Sequence, residues 1–215
     1  MPLFLQQHIE PQGEIGLWQI EESEDWFLDR LVLHPTEYAQ LDQIKGRKRT
    51  EWLAVRQLIH QMSGREKRGI FIKDEFGKPR LENSDWQISI SHSRLLGAAI
   101  AAPMAVGIDI QKIVPKIERL IPKFMNKAEQ DSLSIQDRIV HAHIYWGAKE
   151  ALYKAYGRRE LDFCEHLLVE PFSFSNKTGQ TTATIIKGDF LESHNIYYSI
   201  LENGYVLVYC LSNNS

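Results

Sequence analysis

Residues 137–156, DRIVHAHIYWGAKEALYKAY, carry the strongest helical signal in the chain, and Gly157 ends it. Downstream, Phe163 to Val169, Thr181 to Ile186, Ile196 to Leu201 and Tyr205 to Leu211 read as strands, with Glu202-Asn203-Gly204 as a hairpin turn between the last two. Upstream, Lys116 to Phe124 and Lys127 to Leu133 read as shorter helices. Before them, an apolar hairpin runs from Leu95 and ends in Val106-Gly107-Ile108-Asp109-Ile110. Trp86 to Ile90 alternates like a strand, and Asp74 to Pro79 is rich in turn residues. Lys48 to Met62 predicts a helix because Trp52, Leu53, Val55, Leu58, Ile59 and Met62 recur at helical spacing, and Gly64 stops it. Leu3 to Ile9 and Gly16 to Ile20 read as strands, Ser23 to Leu33 and Pro35 to Ile44 as short helices. Strands, helices, strands, then helices and strands again predict an α+β fold and not a regular βαβ alternation. Each half carries a long helix followed by strands, which permits a duplication with its seam near Pro103 and a division into residues 1–103 and 104–215.

The chain has 215 residues, 43% apolar and 25% charged, a composition that excludes disorder, collagen-like repeats and coiled coil. Its 25 Lys+Arg against 28 Asp+Glu give a net charge of −3, so no whole-molecule field draws it onto nucleic acid or anionic lipid. An anionic ligand then needs a local basic site. The longest apolar run, Leu95 to Ile108, is 14 residues interrupted by Pro103, too short to cross a bilayer. The N-terminal residues lack the basic start and long apolar stretch of a secretion signal. Cys164 and Cys210 make neither a disulfide framework nor a zinc spacing, so the expected compartment is the reducing cytoplasm.

On the strand Gly107-Ile108-Asp109-Ile110-Gln111, Asp109 and Gln111 lie two positions apart and so project from one face. Side-by-side oxygen donors suit a hard divalent cation such as Mg²⁺, although an Asp at the end of an apolar strand also serves as a turn or cap residue. On the long helix, Glu150 and Lys154 are four residues apart, about 6 Å along one face. That spacing makes an ordinary surface ion pair. Beside Trp146, Leu152 and Tyr153 it also makes a carboxylate and an ammonium at an apolar groove, which is what a metal-dependent reaction at phosphorus requires. His92, within Ser89-Ile90-Ser91-His92-Ser93, is structural or a donor to phosphate. His141 and His143 point about 200° apart on a helix and do not share a metal. Arg47, Lys48, Arg49, Arg56 and Lys78 form either a solvated face or a phosphate grip at a helix start.

Together these residues resemble the phosphopantetheinyl transferases. Gly107 to Gln111 is similar to the family's G-[IV]-D-[IV]-E signature, and Trp146 to Lys154 to its W-x-x-K-E-[SA]-x-x-K signature, with 40 residues between Asp109 and Glu150. Gly77-Lys78-Pro79, Ile90-Ser91-His92-Ser93 and Glu51-Trp52-Leu53-Ala54-Val55-Arg56 resemble three further motifs in the family's order, and the length matches the monomeric surfactin-synthetase-activating type. The resemblance implies a pseudo-dimer of two similar α+β halves with the active site in the cleft between them. Its first half would grip the coenzyme A nucleotide and its second would hold the metal site and catalytic helix. It also implies transfer of 4′-phosphopantetheine from coenzyme A to a serine hydroxyl of an apo acyl or peptidyl carrier protein, releasing adenosine 3′,5′-bisphosphate. By the same resemblance Asp109, Gln111 and Glu150 are the metal ligands for Mg²⁺, and Glu150, Lys154 and Asp109 the catalytic residues. Arg47, Arg49, Arg56, Lys78, Ser91, His92 and Lys154 would bind the coenzyme.

Two positions depart from the family pattern. Gln111 stands where many relatives carry a third acid, and Gly147 replaces a small hydroxyl or thiol residue at a helix cost of up to about 1 kcal/mol relative to Ala. Lys112, Lys116, Arg119, Lys123 and Lys127 recur every three or four residues and form an expected docking strip for an acidic carrier. A non-catalytic coenzyme A- or carrier-binding module and a Mg²⁺-dependent phosphodiesterase are the alternatives. The latter needs a wider basic surface than this composition offers.

Overall fold

The computed structural model describes residues 3–213, and the chain divides into two compact units, Met1–Pro103 and Met104–Ser215. Both are α+β, each built on one antiparallel sheet. No helix among the described residues is long and apolar enough to cross a membrane.

The first unit contains β1 (Leu3–Ile9), β2 (Gly13–Gln19), α1 (Glu24–Leu28), α2 (Pro35–Asp42), α3 (Lys48–Ser63), β3 (Phe71–Lys73), β4 (Pro79–Leu81), β5 (Gln87–Ser93) and β6 (Leu96–Ala102). Its strands run in the order β1-β2-β6-β5-β4-β3. The apolar stripe of α3 lies on β2 and β6, where Leu53, Leu58, Ile59 and Met62 join Trp18, Phe27 and Ile88 in one core. Gly64, at φ 59°, takes the left-handed turn that ends α3. The helix expected over Ser23 to Leu33 stops at Leu28. Beyond it Leu31 and Leu33 are buried and Val32 is exposed, the alternation of extended chain, and Pro35 disfavours a helical residue before it.

The second unit contains β7 (Val106–Lys112), a 3₁₀ turn (Pro115–Arg119), α4 (Ile121–Phe124), α5 (Lys127–Asp131), α6 (Arg138–Tyr156), β8 (Leu167–Val169), β9 (Thr178–Lys187), β10 (Phe190–Leu201) and β11 (Tyr205–Ser212). Its sheet order is β7-β11-β10-β9-β8, and α6 packs across β7 and β11. Three expectations change here. The apolar stretch around Pro103 is not a hairpin, because β6 pairs with β2 and β5 whereas β7 pairs with β11. Lys116 to Phe124 is two short elements, since Pro115 and Pro122 each sit in the first turn of a separate one. The strand expected from Phe163 begins only at Leu167, because Asp162 Oδ1 accepts the N–H groups of Cys164 and Glu165 and winds that segment into a turn.

The position of α6 on the sheet depends on Gly107. A Cβ there would lie 1.8 Å from the carbonyl oxygen of Ala151, so only a residue without a side chain lets the helix come this close to β7. That approach brings the Asp109 strand and the Glu150 turn of α6 together.

Candidate active site

Asp109 sits in the middle of β7, opposite Val208 of β11, and only 7% of it is exposed. Lys154, near the C-terminal end of α6, places its ammonium 2.9 Å from Asp109 Oδ1 and also donates to the Ile108 carbonyl at 2.8 Å. Glu150 lies one helical turn earlier. Burial pushes its carboxyl above the ordinary value, the negative charge of Asp109 pushes it further, and Lys154 pulls the other way. The three side chains expected to carry chemistry in this unit therefore act on one another. Trp146 packs edge-on against Phe124 at 5.1 Å and beside Phe163 at 5.5 Å, and Tyr153 lies 5.8 Å from Phe163, so the turns of α6 on either side of Glu150 carry one aromatic cluster.

Gln111 follows on the same face of β7. Its Nε2 donates to Asp109 Oδ2 at 3.1 Å and to the His143 carbonyl at 3.2 Å, while its Oε1 faces His143 Nδ1 at 2.9 Å. Its oxygen is thus engaged by His143, and its nitrogen end faces the Asp109 carboxylate. His143, set aside at the level of sequence, is buried, and that burial lowers its basicity. Periodicity places a helical histidine on a face and says nothing of its partner 32 residues away.

Two carboxylates that repel each other at a mostly buried position form a donor set that suits a hard divalent cation. Mg²⁺ commonly takes one or two carboxylates and fills its remaining positions with substrate phosphate and water. Asp109 and Glu150 are the carboxylates the fold brings within charge range of each other here, and among the described residues no cluster of three or more His, Cys, Asp or Glu is placed to hold a metal.

Residues 105–210 match the family described as the 4′-phosphopantetheinyl transferase superfamily. The matched segment includes β7, all of α6 and most of β11, and hence Asp109, Glu150 and Lys154. It supports phosphopantetheine transfer as the general activity. No curated protein matches the chain.

In the first unit, the expected nucleotide-binding residues fall into two groups. His92 Nδ1 lies 3.1 Å from Glu51 Oε2, and Arg47 approaches the other oxygen of the same carboxylate at 3.6 Å. Glu51 is mostly buried whereas His92 and Arg47 are accessible, so one carboxylate contacts an imidazole and a guanidinium that both reach solvent. Ser91 is buried on β5, and Lys78 is half-buried in the turn where its main-chain N–H donates to Asp74 Oδ1 at 2.9 Å. Arg49 and Arg56 meet partners within the first unit. Arg49 forks onto Glu24 at 2.7 and 2.9 Å and donates to the Leu41 carbonyl. Arg56 is buried, stacked 3.1 Å from the Trp52 ring centroid and 4.6 Å from that of Phe71, with Glu37 at 3.5 Å.

Of the basic strip, Lys116, Arg119 and Lys123 are exposed. Lys127 pairs with Asp131 at 2.7 Å, and Lys112 folds back to the Asn203 carbonyl over the Tyr205 ring. Lys149, inside the helix signature, is fully buried against Glu129 at 2.8 Å. It is spent on the fold, through that ion pair and a hydrogen bond to the Phe163 carbonyl.

Proposed function

We propose that this protein transfers the 4′-phosphopantetheine arm of coenzyme A to a serine hydroxyl of an apo acyl or peptidyl carrier protein, with Mg²⁺, releasing adenosine 3′,5′-bisphosphate in the cytoplasm. The observation that carries this reading is the mutual charge coupling of Asp109, Glu150 and Lys154 inside a segment matched to the transferase superfamily.

Phosphoryl transfer asks little covalent chemistry of the protein; it asks for positioning and charge compensation. Asp109 and Glu150 would hold Mg²⁺, which when bound neutralises the diphosphate and polarises its phosphorus centre. Glu150 accepts the proton of the incoming serine hydroxyl, a role suited to a carboxylate whose burial raises its basicity. Lys154 supplies a fixed positive charge for the leaving phosphate oxygens. His92, held through Nδ1 by Glu51, presents Nε2 toward the nucleotide and donates to a phosphate oxygen when the ring carries both protons, and Arg47 and Lys78 add charge. Lys116, Arg119 and Lys123 suit the acidic surface of a carrier.

Incubating the protein with coenzyme A, Mg²⁺ and a panel of apo carriers, then weighing each carrier by mass spectrometry, tests the reading. A gain of one phosphopantetheine on a serine is expected. It should vanish in Glu150→Gln and Asp109→Ala, with the circular dichroism of the folded protein retained. Coenzyme A binding without mass gain on any carrier would replace the transferase with a binding module.

A further inference from the structure

The orientation of the Gln111 amide follows from two partners that can only accept, Asp109 Oδ2 and the His143 carbonyl. The main-chain N–H of Val114 donates to His143 Nε2 at 3.0 Å in the tautomer whose ring proton resides on Nδ1, the tautomer that the Gln111 oxygen selects. Nδ1–H then donates to Gln111 Oε1 at 2.9 Å. The amide's other end meets two partners that only accept, Asp109 Oδ2 at 3.1 Å and the His143 carbonyl at 3.2 Å. Turning the amide over would set its oxygen against both and forfeit these bonds. The reverse state has a foothold, because the Val114 carbonyl also lies 3.1 Å from His143 Nε2 and would accept from the other tautomer.

We propose that His143 is a positioning residue for the cation site: it holds Gln111 as an N–H donor to Asp109, so that Gln111 orients a ligand and is not itself one. Asp109 is then gripped from two sides, Oδ1 by Lys154 and Oδ2 by Gln111. A family position that often carries an acid is here a neutral link, and the rigidity of Asp109 replaces the missing charge. The proposal rests on the reading of Asp109 and Glu150 as cation ligands.

Mn²⁺ binding to the full chain without coenzyme A, followed by titration calorimetry, separates the possibilities for His143→Phe, Gln111→Leu and the double variant, with thermal melting as the check on folding. The two single variants are expected to weaken binding by a similar factor, roughly tenfold as is usual when an outer partner of a ligand is lost, and the double variant by no more. Unchanged affinity in His143→Phe beside a loss in Gln111→Leu would overturn the proposal, as would losses that multiply in the double variant. Wild-type protein that binds no Mn²⁺ would remove the reading of Asp109 and Glu150 as well, an outcome distinct from normal wild-type binding that His143→Phe leaves intact. The ¹⁵N-labelled wild type supplies a measurement that needs no folded His143 variant. Its Gln111 side-chain NH₂ protons, assigned by their loss in Gln111→Leu, should stay protected from solvent exchange when Mg²⁺ is added. Loss of that protection would mean that the amide turns its oxygen to the cation, and the proposal would fail.

Discussion

A methyl group added at Gly147 would lie 2.6 Å from Val208 Cγ2 and 3.2 Å from Gln111 Nε2. Helix propensity alone favours Gly147→Ala by up to about 1 kcal/mol. Overpacking opposes it by roughly 1–3 kcal/mol, and the obstacle is a short, branched, fully buried valine in mid-strand that has no flexible end to move aside. Packing wins. Gly147→Ala is therefore expected to lower the urea midpoint, measured by far-ultraviolet circular dichroism, instead of raising it as an isolated helix would. The departure from the family's helix signature thus leaves room for the Gln111 amide.

The contact between α6 and β7 sets the geometry of the site at the scale of elements. Gly107→Ala would force a carbon into the Ala151 carbonyl, a backbone atom that cannot yield without moving the whole helix. A loss of about 3 kcal/mol or more is expected, at the upper end of overpacking costs, and any folded protein recovered should bind Mn²⁺ weakly because Asp109 and Glu150 have moved apart. A second device ties α6 to its neighbours. Glu129 caps α5 by accepting the Asn126 N–H at 2.8 Å, accepts the Val169 N–H of β8 at 3.0 Å, and pairs with Lys149 of α6, which also donates to the Phe163 carbonyl at 2.7 Å. Burial pushes the Lys149 ammonium toward its neutral form and Glu129 pulls it back. Lys149→Met leaves a buried carboxylate without its countercharge and should cost about 3–5 kcal/mol in urea unfolding, with much of that regained in the double variant Glu129→Gln/Lys149→Met. By contrast the Lys127–Asp131 pair is solvent-exposed on both sides, and Lys127→Ala should change stability by about 0.5 kcal/mol or less.

Each unit of the whole molecule carries its own core, and the first carries a buried ionic knot. Glu37 is inaccessible to solvent, accepts the His34 N–H at 3.0 Å, and is bonded by both terminal nitrogens of Arg68 with Arg56 close by. Burial pushes the Glu37 carboxyl up, but the hydrogen bonds from Arg68 and His34 and the charges of Arg68 and Arg56 outweigh it and hold its pKa below the usual 4.5. A carboxylate depressed in the folded state adds stability that is fully present above its unfolded value and is lost as pH falls through the folded one. The first unit is therefore expected to lose stability below about pH 4.5, where the unfolded chain takes up this proton first. Trp18, Trp26, Trp52 and Trp86 lie in that unit, so tryptophan emission in a Trp146→Phe background follows it alone. Glu37→Gln should cost about 3–5 kcal/mol at neutral pH and flatten the acid slope. An unchanged slope would mean that another group governs the acid transition.

Read by itself, the sequence determined the α+β class, the extents of the long helices, the Gly64 and Gly157 stops, and the placement of Asp109 on a strand with Glu150 and Lys154 on one helical face. Those features follow from periods of two and 3.6 and from the backbone freedom of glycine, all of which are properties of neighbours in the chain. Only the tertiary structure decided which charged groups are spent on the fold. Arg49 meets Glu24 across 25 residues, Arg68 meets Glu37 across 31, and Gln111 meets His143 across 32. An arginine gripping phosphate and an arginine locked in a buried ion pair look alike in one dimension, because desolvation and partner distance exist only once the chain has folded.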